Sequence, residues 1–183
     1  GIVMNAENFY HTVCSIKDKE LLRKLSVITE FKSLKKGEII VRDGEIRNEI
    51  RLLESGIARG YFLNTDGKDV TDCFMYRRGE GIMSYCQLEL DVPSPMTIEM
   101  LEDGSYYCLP ISGILELLRY YPEIIVYYNH LLTISLNTHW KLQQVLNQCT
   151  ATQRYQWFLT FPELAIFLPK MNCNITEIIV AIV

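Results

Sequence analysis

Apolar residues recur at helical spacing near the start of the chain and again after Pro110, and between these stretches the period falls to two. Ile16, Leu21, Leu22, Leu25 and Ile28 predict a helix with its partner turn over residues 6–30. Ser15, three residues before Asp18, gives a weak capping-box signal there. From Phe31 the chain reads as short strands punctuated by Gly37, Gly44, Gly56, Gly67 and Gly104. The pairs Asp43-Gly44, Asp66-Gly67 and Asp103-Gly104 predict hairpins, because a tight two-residue turn needs positive φ. Short strands at regular spacing with such turns predict a sandwich or small barrel.

After Pro110 the segment ISGILELLRYY predicts one amphipathic helix, closed by Pro122. Proline suits a first helical turn, so a long helix is expected from Pro122. Along it Ile124, Tyr128, Leu131, Ser135, Thr138, Leu142, Val145 and Cys149 alternate steps of four and three. Such a seven-residue repeat over about 26 residues makes about 40 Å of helix. A second apolar row, Ile125, Leu132 and Leu136, is expected to face the β-domain, leaving the first row for the same helix of a second subunit. A core helix in a monomer is the competing reading; the polar Ser135 and Thr138 on the seam suit a dimer register better. The tail begins with a helix around RYQWFL, breaks at Pro162 and Pro169, and ends in the apolar run Ile175 to Val183.

Composition narrows the classes. With 49% hydrophobic and 22% charged residues the chain is an ordinary globular protein. The net charge of −4 lacks the basic excess of a nucleic-acid binder. No apolar run reaches the roughly 18 residues that span a bilayer, and the first residues carry no secretory pattern. A cytoplasmic protein without membrane contact is expected. The six cysteines show neither CxxC nor finger spacing and read as buried thiols. His130 and His139 lie nine residues apart on the long helix and do not converge, and His11 reads as a surface residue. No metal site is expected, nor any Ser/His/Asp or Cys/His grouping, so catalytic residues are not assigned.

The order of helix, glycine-punctuated strands, short helix and long helix resembles the Crp/Fnr superfamily of bacterial transcription regulators. The resemblance rests on KKGEIIVRDGE, LLESGIARGYFLNTDGKDVTDCF, TIEMLEDGSYYCLP and TQRYQWFL, over roughly residues 6–168. It implies an α+β chain: a cyclic-nucleotide-binding-like β-roll (a jelly roll) with flanking helices and a long dimerisation helix. It divides the chain into a sensor at 1–121, the dimer helix at 122–150 and a DNA-binding part from 151. Gly37 and Gly56 would sit at turns of the roll. Clustered N-terminal cysteines for an iron–sulfur centre, as some relatives carry, are missing, and the histidines do not suit haem. The cupin enzymes share the roll, but all three histidines lie outside the strands.

The resemblance also gives the segment RRGEGIMSYCQLELDVPSPMTIEML a role. Gly79 would precede the family's phosphate-binding cassette, where backbone amides and an arginine hold a cyclic phosphate while a glutamate holds the ribose. Ser94 stands at the arginine's place, just before the strand headed by Thr97, and Ser84 or Tyr85 at the glutamate's. A buried phosphate without a guanidinium is poorly compensated, so cAMP is not the expected ligand. Gly79, Met83, Ser84, Tyr85, Ser94, Met96, Thr97, Tyr127 and Leu131 are the candidate pocket for an unidentified apolar or mixed effector. The alternative is that these side chains fill the roll and bind nothing. Arg77 and Arg78 read as a solvated pair.

In the family a winged helix-turn-helix follows RYQWFL. Here KMNCNITEIIVAIV supplies a first helix at most, and the charges of residues 151–183, Arg154 and Lys170 against Glu163 and Glu177, sum to zero. The expectation is an incomplete or altered DNA-binding part, with DNA-contacting residues unassigned. A truncated or frame-shifted regulator is favoured over a stand-alone dimeric sensor that acts on a protein partner.

Overall fold

The structure, a computed structural model, describes residues 2–83 and 88–160. Two helices open the chain, α1 (Ile2–Thr12) and α2 (Lys19–Val27). Seven strands come next: β1 (Glu30–Leu34), β2 (Ile39–Val41), β3 (Glu49–Ser55), β4 (Ala58–Leu63), β5 (Asp69–Met75), β6 (Thr97–Met100) and β7 (Gly104–Pro110). Helices α3 (Ile111–Leu118), α4 (Glu123–Gln148) and α5 (Ala151–Phe158) complete the described chain.

The N-terminal helical stretch breaks where a side chain sits at positive φ. Ser15 has φ 57°, and α2 starts on Asp18, whose Oδ1 accepts the Leu21 amide at 2.9 Å. The cap is therefore Asp18 and not Ser15, and the single helical region is two helices.

The strands form two antiparallel sheets, ordered β1-β7-β3 and β2-β6-β4-β5. Of the three Asp-Gly pairs, Asp66-Gly67 alone joins paired neighbours, β4 and β5. Asp43-Gly44 and Asp103-Gly104 are corners, because β2 and β3, and likewise β6 and β7, belong to different sheets. At the crossing from β3 to β4, Gly56 has φ 94°, and a Cβ there would stand 2.9 Å from the Gly104 Cα. Only glycine fits both demands.

Alternation along β7 divides the core. Tyr106 and Cys108 point between the sheets, where they pack with Leu53, Ile82, Ile98 and Met100. Tyr107 and Leu109 point the other way, onto Phe9, Tyr10, Leu21 and Leu25 of the N-terminal helices. The second core also takes Ile124, Tyr127 and Leu131 from the first half of α4.

That contact corrects the expected use of the two rows on α4. Ile124 and Leu131 pack on the chain's own core, Tyr128 lines a cavity beside it, and Val145 is buried in the chain. Ser135 and Thr138 are exposed, and the Leu142 side chain lies outside the described part. The other row is the open one: Ile125, Leu136 and Trp140 are exposed, the last two at 65% and 72%, with Leu132 half-buried between them. At 100° per residue these four make one stripe. The first turns of the helix pack against the core shared with the N-terminal helices, so the row nearest Tyr127 is used internally.

Candidate functional site

The segment after β5 is built against β3. The Gly79 amide donates to the Leu53 carbonyl at 2.8 Å, Leu53 donates to the Glu80 carbonyl at 2.9 Å, and the Ile82 amide to Arg51 at 2.9 Å. Residues 79–82 thus cover the open edge of β3. Glu80 fixes the turn before them: its Oε2 accepts the amides of Tyr76 and Arg77, both at 3.0 Å. Burial raises the Glu80 carboxyl above the ordinary range, against the lowering pull of those two amides. The neighbouring arginines are engaged, Arg77 with Glu80 at 3.9 Å and Arg78 with Glu54 at 3.0 Å.

The far end of the segment is pinned equally well. Ser94 donates its amide to Glu45 and accepts that of Gly44, and its hydroxyl donates to the Met96 carbonyl at 2.6 Å. Asn48 and Asp91 exchange two hydrogen bonds at 3.1 and 2.8 Å. Residues 84–87, including the candidates Ser84 and Tyr85, lie outside the described residues.

Helix α4 is tied to this segment by a side-chain hydrogen bond. The Tyr127 hydroxyl donates to the Gly79 carbonyl at 2.7 Å. Gly79 has φ +87°, and a Cβ there would stand 2.6 Å from the Tyr127 oxygen and clash with Val13. Glycine is required by both the backbone angle and the approach of the helix.

Two cavities flank the segment, and Met83 lines both. The first, of about 70 Å³, lies between α1, α2, the outer face of sheet β1-β7-β3 and α4. Its walls include Tyr10, Cys14, Leu52, Leu88, Tyr127 and Leu131, and none of its lining residues carries a formal charge at neutral pH. The Tyr10 hydroxyl is bonded to Thr29, and burial pushes the Cys14 thiol up to about 12. The second, of about 50 Å³, is charged: Glu45, Arg47, Glu49, Arg51 and Glu89 line it beside Ser94. Arg51, 4% exposed, donates from Nε to the Ile82 carbonyl at 2.9 Å and from Nη1 to Glu49 at 3.0 Å. Glu49 Oε2 accepts the Cys108 thiol at 3.0 Å; burial opposes its charge, but this bond and the two arginines leave its carboxyl below the usual range. Arg47 Nε donates to Glu45 at 2.7 Å.

The candidate residues divide accordingly. Met83, Tyr127 and Leu131 meet at the apolar cavity, and Ser94 lies in the charged cleft. Met96 and Thr97 line neither: Met96 packs in the core between the sheets, and the Thr97 hydroxyl accepts the Asp43 amide at 3.1 Å. The strand period sends these two side chains to the opposite faces of sheet β2-β6-β4-β5. Sequence reasoning missed the walls from α1, α2 and β3. Arg51 had a visible signal, a charged residue inside the run EIRLL; Cys14 and Tyr10 had none, since only long-range packing brings α1 to the sheet. Among the described residues no group of three or more His, Cys, Asp or Glu is placed to hold a metal ion, and no helix is long and apolar enough to cross a membrane.

Comparison with known proteins gives a family for this frame. Residues 31–121 match the family model of the cyclic nucleotide-binding domain. None of the curated proteins matches the sequence. Among solved structures, FixK2 from Bradyrhizobium japonicum is 19% identical with a TM-score of 0.60, over 73% of this chain and 65% of its own. A putative Crp/Fnr-family transcriptional regulator from Eubacterium rectale is 17% identical with a TM-score of 0.66, over 86% and 73%. DNR from Pseudomonas aeruginosa is 17% identical with a TM-score of 0.59, over 84% and 69%. At these identities the likeness to the solved structures is one of fold alone.

Proposed function

We propose, from the premise that residues 31–121 are a domain of the cyclic nucleotide-binding family, that this chain is the effector-sensing part of a Crp/Fnr-type transcription regulator and works as a homodimer through α4. The hydrogen bond from Tyr127 to the Gly79 carbonyl carries this reading. It ties the segment that frames both cavities to α4, whose stripe of Ile125, Leu132, Leu136 and Trp140 stays largely open among the described residues. An effector that moves residues 79–83 would reposition Tyr127, and with it the stripe Ile125, Leu132, Leu136 and Trp140.

The composition of α4 supports a partner on that stripe. Glu123 and Lys141 are its only Asp, Glu, Lys or Arg residues in 26 positions. A long helix facing only water ordinarily carries many more charges. The change would pass onward through α5, which starts at the capping box of Thr150 and Gln153 and is held to the end of α4 by Arg154 Nε on the Cys149 carbonyl at 3.1 Å. Re-aiming the chain beyond α5 is the switch by which DNA affinity would change.

Reciprocity of coupling makes the reading testable without a ligand. Leu136→Asp places a charge in the stripe, and sedimentation should show a dimer for the wild type and a monomer for the variant. If the segment and the stripe are coupled, amide hydrogen exchange at residues 79–83 must then differ between dimer and monomer. Tyr127→Phe should erase that difference. A wild-type monomer, or identical exchange at 79–83 in both forms, would sink the proposal. A dimer with coupled exchange that never shifts duplex DNA would favour a sensor acting on a protein partner.

A further inference from the structure

We infer, resting on the sensor reading above, that the effector seat is the apolar cavity against α4 and that its ligand is a small, neutral, apolar molecule. The charged cleft is not that seat. Its two guanidiniums are already paired, Arg47 with Glu45 and Arg51 with Glu49 and the Ile82 carbonyl, and the Ser94 hydroxyl is spent on its own loop. Three carboxylates face two guanidiniums there, so an anion would meet net repulsion and find few donors.

The apolar cavity has the opposite chemistry. The Tyr10 hydroxyl is turned to Thr29 and that of Tyr127 to Gly79, and Cys14 is an uncharged thiol. A trapped water needs two to four polar partners, so a cavity walled by Leu25, Ile50, Leu52 and Leu109 stays dry or takes an apolar guest. An ionised or multiply hydroxylated ligand would surrender its hydration for nothing.

Size supplies the signal. The cavity holds about 70 Å³, roughly half of a dry cavity of about 150 Å³ that takes benzene. A guest of that size must push back a wall. The walls with room to give are Met83 and Leu88 of the framing segment and Leu131 of α4, which pack only partly buried against the core, whereas Tyr10, Leu25, Ile50, Leu52 and Leu109 are buried within it. The guest therefore acts as a wedge at the place where Tyr127 fastens the helix to Gly79.

Benzene is the probe, titrated into the isotope-labelled full chain and followed by amide shifts, with cAMP as the comparison. Saturable shifts at Cys14, Met83 and Leu131 are expected, with none from cAMP. Cys14→Leu fills the void and should weaken benzene roughly tenfold or more, while Leu131→Ala enlarges it and should tighten binding. The second variant decides the matter should the first fail to fold. No saturable shifts, shifts confined to Arg47, Glu49 and Ser94, or no tightening in Leu131→Ala would overturn the assignment. Sedimentation with benzene bound separates the two ideas: an unchanged dimer constant leaves the ligand class standing and removes the sensor reading.

Discussion

Glu80 holds the framing segment in place with a carboxylate that its surroundings push toward the neutral form. Both its amide partners, Tyr76 and Arg77, favour the charge, and burial opposes it more strongly. A folded-state pKa raised above the unfolded one gives stability that is fullest below the ordinary carboxylate range and is lost as pH climbs through the raised value. Glu80→Gln keeps an oxygen for the two amides and removes the charge. The variant should therefore be more stable than the wild type near neutrality, with the gap closing in acid. Urea midpoints from about pH 4 to about pH 7.5 span the titration. A gap that does not change with pH, or a more stable wild type at neutrality, would contradict this account. Cys14 shows the same physics in a thiol: desolvation raises it to about 12, so it sits in the cavity wall as a neutral hydrophobe.

Elements were legible in the sequence where one residue forces a local geometry. Pro122 marked the start of α4, which runs Glu123–Gln148, and the glycines marked the strand turns, Gly44, Gly56 and Gly67 with positive φ. The dipeptide Asp-Gly, however, signals a sharp turn and says nothing of which sheet the chain enters next. Asp43-Gly44 and Asp103-Gly104 therefore read as hairpins and are sheet-to-sheet corners. Two apolar rows on α4 were equally visible, but periodicity cannot say which one the chain covers itself. Packing of Ile124, Tyr127 and Leu131 on the N-terminal helices decided that. Ser94 was readable from the loop alone as a residue of the cleft, whereas Arg51 and Glu49 arrive from β3 through pairing distant in sequence. Capping shows the same limit in miniature, since the sequence pointed to Ser15 with Asp18 as its capping-box partner, and the cap of α2 is Asp18 itself. Asp18→Ala should cost about 1 kcal/mol in chemical unfolding, through loss of the bond to the Leu21 amide. Ser15→Gly should cost nothing or stabilise, because Ser15 sits at φ 57° and glycine has no Cβ to strain there. A larger loss from Ser15→Gly than from Asp18→Ala would mean that the cap is misassigned.

At the scale of the whole molecule, charge and apolar surface are sorted to opposite sides of the framing segment. Carboxylates and guanidiniums gather at the end of β3 that faces Ser94, while the uncharged cavity lies toward α4, with Met83 as the wall between. A cyclic nucleotide whose phosphate sat beside Ser94 would have it on the charged side. There it would face Glu45, Glu49 and Glu89 with both arginines occupied. Calorimetry with cAMP should accordingly give no heat of binding for the wild type at about 100 μM ligand, a level that would reveal any affinity of physiological strength. Ser94→Arg alone brings the cleft only to balance, three carboxylates against three guanidiniums. Glu49→Gln in addition removes the carboxylate charge that neutralises Arg51, so the double variant should bind cAMP more tightly than either single one. Micromolar binding by the wild type would place the phosphate on donors other than these arginines. It would also move the effector seat back to the charged side of Met83. Binding that appears only in the double variant would mean that two residues, one on the segment and one on β3, keep cAMP out of the cleft.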